Sequence, residues 1–93
     1  MIIYKSNAEV ELIRQSCVLT NDAIAYVAAL IKPGISTLEL NDIADKYIVD
    51  HGGVPNFKNY HGFPYACCIS VNDAVVHGFP TKELLKNGDN ITI

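Results

Sequence analysis

Residues 67–80, CCISVNDAVVHGFP, place a pair of cysteines and a histidine in one short stretch. His77 follows two β-branched valines and precedes Gly78, where a strand would leave a sheet. A rigid strand end can hold a side chain toward a cleft, and an imidazole there could donate or accept a hydrogen bond near neutral pH. The plainer alternative is a structural histidine satisfied by a backbone carbonyl. Cys67 and Cys68 are open to three uses: nucleophile, metal ligand or packing. A cysteine nucleophile needs a base and an orienting group. A structural zinc could draw on His61, Cys67, Cys68 and His77, although adjacent cysteines lack the usual two-residue spacer. Packing is the common fate of such cysteines.

A second candidate is FKNYHGFPY, residues 57–65, with Phe57, Tyr60, Phe63, Tyr65 and His61 set among Gly62 and Pro64. Such loops line pockets with aromatic walls and a polar tip, or their rings simply cover the open face of a sheet. Acidic ligands for a hard metal pair do not converge. Asp73 and Asp89 sit in turns, and Asp42, Asp45 and Asp50 lie on one predicted helix. A two-metal hydrolase needs a gathered set of carboxylates and histidine, so on its residues alone this chain is not a complete enzyme.

The elements that must position these residues are punctuated clearly. SNAE at 6–9 is a capping-box pattern and predicts a helix over 7–31, ended by Pro33 and Gly34. Its expected apolar stripe is Val10, Ile13, Cys17, Ile24, Val27, Ala28 and Ile31. STLE at 36–39 repeats the pattern and predicts a second helix over 37–51, with Leu40, Ile43, Ala44, Tyr47 and Ile48 as its stripe and HGG as its stop. Short extended pieces follow. VPNF is an expected edge strand. YACCISV and AVVHG, flanking the turn ND, read as a hairpin. KNGD at 86–89 is a turn, and NITI opens a last strand. Two helices followed by short antiparallel strands make an α+β class. The last strand has no stop signal or partner after it, so the expectation is that residues 1–93 are one partial domain of a longer chain; a short edge strand is the alternative.

Composition narrows the setting. The chain is 49% hydrophobic and 18% charged with no low-complexity tract, which argues against disorder. A net charge of −3 without a basic cluster argues against nucleic acid or an anionic membrane as partner. The longest apolar run, AIAYVAALI at 23–31, is far short of a membrane span, and no secretory signal opens the chain. Three cysteines, two of them adjacent, do not describe a disulfide framework; reduced thiols in the cytoplasm are the expectation.

KPGISTLEL, YHGFP, CISVNDAVVHG and the final GD before a strand, in this order and at these spacings, resemble the N-terminal part of the bacterial-type (type I) methionine aminopeptidases. The resemblance covers nearly the whole chain. It implies the first half of a pita-bread fold and an enzyme that removes initiator methionine with two divalent metal ions: cobalt, manganese, iron or zinc. By resemblance, His77 is the histidine that hydrogen-bonds the substrate at the scissile amide and stabilises the transition state. Tyr60, Phe63 and Cys68 fall where the family lines the methionine pocket, with Phe57 bordering it and His61 beside it. Asn72 and Ala74 lie where some members offer backbone carbonyls to a monovalent cation. The metal ligands are expected beyond Ile93, so no metal ion is expected on these residues alone.

The implied partners are N-terminal Met-peptides and nascent chains at the ribosome, with self-association through an exposed sheet edge. Three departures stand out: Asn90 where the family is usually apolar, Phe63 where tyrosine is common, and Phe79 in place of a more usual aliphatic residue. Two other readings stay open. One is a non-catalytic pita-bread relative that binds peptides or a partner; the other is a small interaction module holding the structural zinc described above.

Overall fold

Ser6 caps the first helix. Its hydroxyl accepts from the Glu9 amide at 3.2 Å while the Glu9 carboxylate accepts from the Ser6 amide at 2.9 Å, the reciprocal arrangement that satisfies two orphan donors at once. The computed structural model describes residues 1–93. Helix α1 runs Asn7–Ala28 and α2 runs Thr37–Asp50. Helix α1 therefore stops three residues before the predicted 31, because Ala29 and Leu30 already turn the chain toward Pro33. At the second start, Ser36 accepts from the Glu39 amide at 3.1 Å. Helix α2 ends at the predicted HGG, where His51 closes the last turn and Gly52 takes φ +83°, a conformation open to glycine without a side-chain clash.

The stripe expected on α2 is the one that packs. Leu40 and Ala44 are buried, with Ile43, Tyr47 and Ile48 half-buried beside them. On α1 the expected stripe is mostly wrong. Val27 is buried and Ile31 half-buried, but Val10, Ile13, Cys17, Ile24 and Ala28 face solvent, and it is Leu19, Ala23 and Val27 that turn inward. With apolar residues on more than one face of α1, spacing alone could not select the face that meets α2. The two helices also meet through Tyr26 and Tyr47, ring centres 4.8 Å apart, with His51 stacked on Tyr47 at 4.0 Å.

The core gathers Val27, Ile35, Leu40, Ala44, Ile69 and Leu85, with Ile31, Ile43, Cys67, Val71 and Ile91 packed around it. Residues 80–85 are sewn to the start of α2. Thr81 donates from its amide to the Thr37 hydroxyl at 2.7 Å, its carbonyl accepts from the Leu38 amide at 2.8 Å, and Leu85 donates to the Ile35 carbonyl at 2.8 Å. The strands are short: β1, Ser70–Val71, pairs antiparallel with β2, Ile91–Thr92, in the register Ser70 to Thr92 and Val71 to Ile91. The predicted turn at 86–89 is closed by Asp89 donating its amide to the Lys86 carbonyl at 3.1 Å.

Two strand predictions fail. VPNF forms no strand; its last two residues are already in the turns that lead into the aromatic loop. The ND turn forms, yet AVVHG does not pair back as the second arm of a hairpin. Val71 takes β2 as its partner, and on the other side only the Ile69 amide to the Gly78 carbonyl, 2.9 Å, resembles a ladder bond. The Gly78 amide is satisfied by the Ser70 hydroxyl at 3.0 Å, not by a backbone carbonyl. Val76 and His77 have φ of +43° and +48°, which breaks the extended run, and Val75 and Val76 are left exposed. No helix is long and apolar enough to cross a membrane.

Candidate functional site

The loop 57–65 is folded on itself by short-range bonds. The Tyr60 amide donates to the Phe57 carbonyl at 3.1 Å and the Phe63 amide to the Tyr60 carbonyl at 3.0 Å, while Asn59 donates to the Phe63 carbonyl. Asn59 and His61 take φ of +65° and +48°, conformations that non-glycine residues adopt mainly in tight turns. An ion pair from Lys58 to Asp45 ties this loop to α2. The result is a run of ring contacts. Phe57 and Phe63 lie 4.8 Å apart, Tyr60 lies 6.4 Å from Phe57, and His61 meets Tyr60 edge-on at 4.2 Å.

That run continues through Tyr65, already part of the loop in sequence, into Phe79, which the sequence did not place beside it. Phe63 meets Tyr65 at 5.6 Å and Phe79 at 5.1 Å, and Tyr65 meets Phe79 at 5.8 Å, all edge to face. Phe79 is two residues from His77, so the aromatic loop and the histidine segment come together through it. The signal was available in part: Tyr65 belongs to the same aromatic cluster in sequence, whereas the 5.1 Å approach of Phe79 is a tertiary fact.

Cys67 and Cys68 follow the loop. Burial first, then the neighbouring Cys68 and Asp45, push the Cys67 thiol up to about 11, and burial raises Cys68 as well. A thiol nucleophile needs its thiolate favoured; both shifts run the other way, so the nucleophile reading loses its electrostatic basis. All three cysteines are free.

His77 is exposed at the end of the irregular segment, oriented by the two bonds its neighbour Gly78 makes to Ile69 and Ser70. Asn72 has φ +54° and joins two turns: its Nδ2 donates to Asp89 at 3.0 Å, and its Oδ1 accepts from the Asn90 amide at 2.9 Å. The Lys86 amide and then Asn72 hold the Asp89 carboxyl below its ordinary range. Asn90 takes part in this joint only through its backbone N–H and carbonyl, so nothing in the structure explains its polar side chain. Ala74 donates to the Val71 carbonyl at 3.1 Å.

The structure therefore brings Phe57, Tyr60, His61 and Phe63 into one aromatic surface with Tyr65 and Phe79. It does not enclose them with Cys68 and His77: Tyr60, Phe63, Cys68 and His77 line none of the chain's main cavities. Phe57 borders a groove of about 290 Å³ with Leu19, Ile48 and Val54. No three His, Cys, Asp or Glu side chains gather as a metal would require. The zinc arrangement of His61, Cys67, Cys68 and His77 is accordingly not assembled, and the residues of this chain do not by themselves fit a metal site.

Residues 11–93 match metallopeptidase family M24, and the chain belongs to that family. Its relatives are more particular. It is 42% identical over all 93 residues to the methionine aminopeptidase of Clostridium perfringens, covering 37% of that protein. It is also 42% identical to methionine aminopeptidase 1 of Bacillus subtilis, covering 38% of it. Among solved structures, the methionine aminopeptidase of Rickettsia prowazekii superposes with a TM-score of 0.94 at 33% identity, over 98% of this chain and 37% of that one. The enzyme from Thermotoga maritima gives 0.93 with the same identity and coverage. The chain thus spans little more than a third of the length of these relatives, and its α+β arrangement is a portion of their pita-bread fold.

Proposed function

We propose that these residues form part of the catalytic domain of an aminopeptidase that removes initiator methionine from new proteins. They supply the wall of the methionine pocket and the histidine that acts on the scissile amide. The observation that carries this reading is the contact of Phe63 with Phe79, which sets the aromatic loop beside the segment bearing His77. A thioether side chain is matched by polarizable aromatic faces and a thiol. Phe57, Tyr60 and Phe63 provide the faces, Cys68 provides the thiol, and His61 lies at the entrance. An N–H of the His77 ring donates to the amide oxygen as negative charge develops on it, an interaction that strengthens toward the transition state. Two divalent ions, of cobalt, manganese, iron or zinc, would supply the activated water, and no cluster within residues 1–93 would hold them. Asn72 and Ala74 offer carbonyls for a monovalent cation.

The setting follows from the substrate. N-terminal Met-peptides emerge on nascent chains at the ribosome, and three free thiols suit the reducing cytoplasm. Self-association of the isolated chain runs through the exposed edge of the half-domain, beside the short β1–β2 pair.

The test is a chimaera in which residues 1–93 replace the matching segment of the Bacillus subtilis enzyme. With added cobalt or manganese it releases methionine from Met-Ala-Ser, and His77→Ala lowers turnover about 100- to 1000-fold. The 93-residue chain alone releases none. A folded chimaera without activity, a His77→Ala variant at full rate, or clear turnover by the isolated chain overturns the reading.

A further inference from the structure

Asn41 lies on α2, 4% exposed, and its side-chain oxygen bonds away from the helix that carries it. Its Oδ1 accepts two consecutive backbone amides from the far side of the core, Ala66 at 2.9 Å and Cys67 at 3.2 Å, with the Cys67 thiol 3.6 Å away. Its Nδ2 donates to the Asp42 carboxylate at 3.2 Å, which fixes the orientation of the amide. Two successive N–H groups pointing to one atom cannot both belong to a β-ladder, where successive amides point to opposite sides. A carbonyl oxygen with two lone pairs can satisfy both. Without it, the two amides would be part-buried donors with no partner, which costs more than an ordinary hydrogen bond is worth.

We infer that Asn41 is a positioning residue for the substrate pocket. By holding the Ala66 and Cys67 amides on one oxygen, it sets the direction in which the chain leaves the aromatic loop, and so the placement of Cys68. This rests on the reading of Cys68 as part of a methionine pocket. The required property is acceptor chemistry at Oδ1 and not the amide as a whole. Asn41→Asp therefore keeps the function at mildly acidic pH, where the protonated carboxyl accepts both amides on one oxygen and donates from the other to Asp42. Asn41→Ala removes it.

The test uses the 93-residue chain with uniform ¹⁵N labelling. In Asn41→Ala, the Ala66 and Cys67 amide protons move upfield and exchange about tenfold faster, the change expected for one lost hydrogen bond. Iodoacetamide modification of Cys67 also accelerates, while Cys17 on α1 reacts at its original rate. At mildly acidic pH, Asn41→Asp retains the wild-type exchange at both amides. Unchanged amides in Asn41→Ala overturn the inference, and so does an Asn41→Asp variant that exchanges as fast as Asn41→Ala. If Asn41→Ala unfolds, Asn41→Asp decides alone: a folded variant lacking protection at Ala66 and Cys67 refutes the acceptor role. The chimaera with the Bacillus subtilis enzyme separates the pocket reading, since Cys68→Ala in it must raise KM for Met-Ala-Ser. An unchanged KM, with the two amides protected as described, sinks the pocket reading and leaves the anchoring by Asn41 in place.

Discussion

Phe63 meets Phe79 edge to face, ring centres 5.1 Å apart and planes at 83°, across sixteen residues of chain. The geometry is the one in which the positive edge of one ring faces the negative face of the other. Tyr65 touches both rings, so three side chains share the contact that joins the loop to the histidine segment. In a double-mutant cycle of Phe63→Leu and Phe79→Leu, urea unfolding should give a coupling of about 0.5–1.5 kcal/mol, the range for such aromatic pairs. Strict additivity would mean that the rings are neighbours without being partners.

The second prediction concerns Gly78, which has no room for a side chain. An added Cβ would lie 2.7 Å from the Ser70 Cα and 2.8 Å from the Ser70 hydroxyl, and closer still to the Ile69 carbonyl. Two of these atoms are backbone and cannot swing away. Gly78→Ala should destabilise the fold by about 1–3 kcal/mol through overpacking and break the bond from the Gly78 amide to Ser70. Ser70→Ala removes that bond without the clash and should cost less. Equal urea midpoints for Gly78→Ala and wild type would show that residues 69–78 can open freely.

Both helices were readable because their signals are local. Ser6 with Glu9, and Ser36 with Glu39, cap within one turn, and Gly52 stops α2 where its left-handed φ is needed. What spacing could not provide was the partner. Val10, Ile13, Cys17 and Ile24 have helical periodicity yet face solvent, because α2 meets the neighbouring face through Ala23 and Val27. AVVHG has strand composition, but its pairing depends on where β2 lies and on the Ser70 hydroxyl taking the Gly78 amide. Of the site, the aromatic loop was legible as a cluster. Phe79 and Asn41 act through contacts made 16 to 26 residues away in the chain, which no short pattern encodes.

Leu40 supplies the third prediction. It is fully buried, at 0% exposure, between Val27 on α1, Ile69 before β1 and Leu85 on the strap that returns to α2. The cluster it belongs to draws on α1, α2, the segment before β1 and the returning strap. Leu40→Ala should cost about 2–5 kcal/mol, from lost transfer energy plus the cavity left behind. In a domain this small that is a large share of total stability. A loss well under 1 kcal/mol would mean that the core collapses into the space and is not close-packed there.

The fourth prediction is a pH dependence at Cys67. In the unfolded chain its thiol ionises at the ordinary 9.0, and in the folded chain burial raises this to about 11. Between these values the unfolded state holds fewer protons than the native state, so stability falls as pH rises. The contribution is complete below 9 and is lost as pH passes through 11. Tyrosines and lysines titrate in the same window, so the wild-type slope alone does not isolate the thiol. The comparison that does is Cys67→Ala, which removes the group and should flatten the decline in urea midpoint between about pH 8 and about pH 10.5. Cys67 should also stay slow to alkylate at neutral pH relative to exposed Cys17, since the thiolate is the reactive form. Matching slopes in the two proteins would show that Cys67 is solvated in the folded chain, and the anchoring of its amide to Asn41 would then have to be re-examined as well.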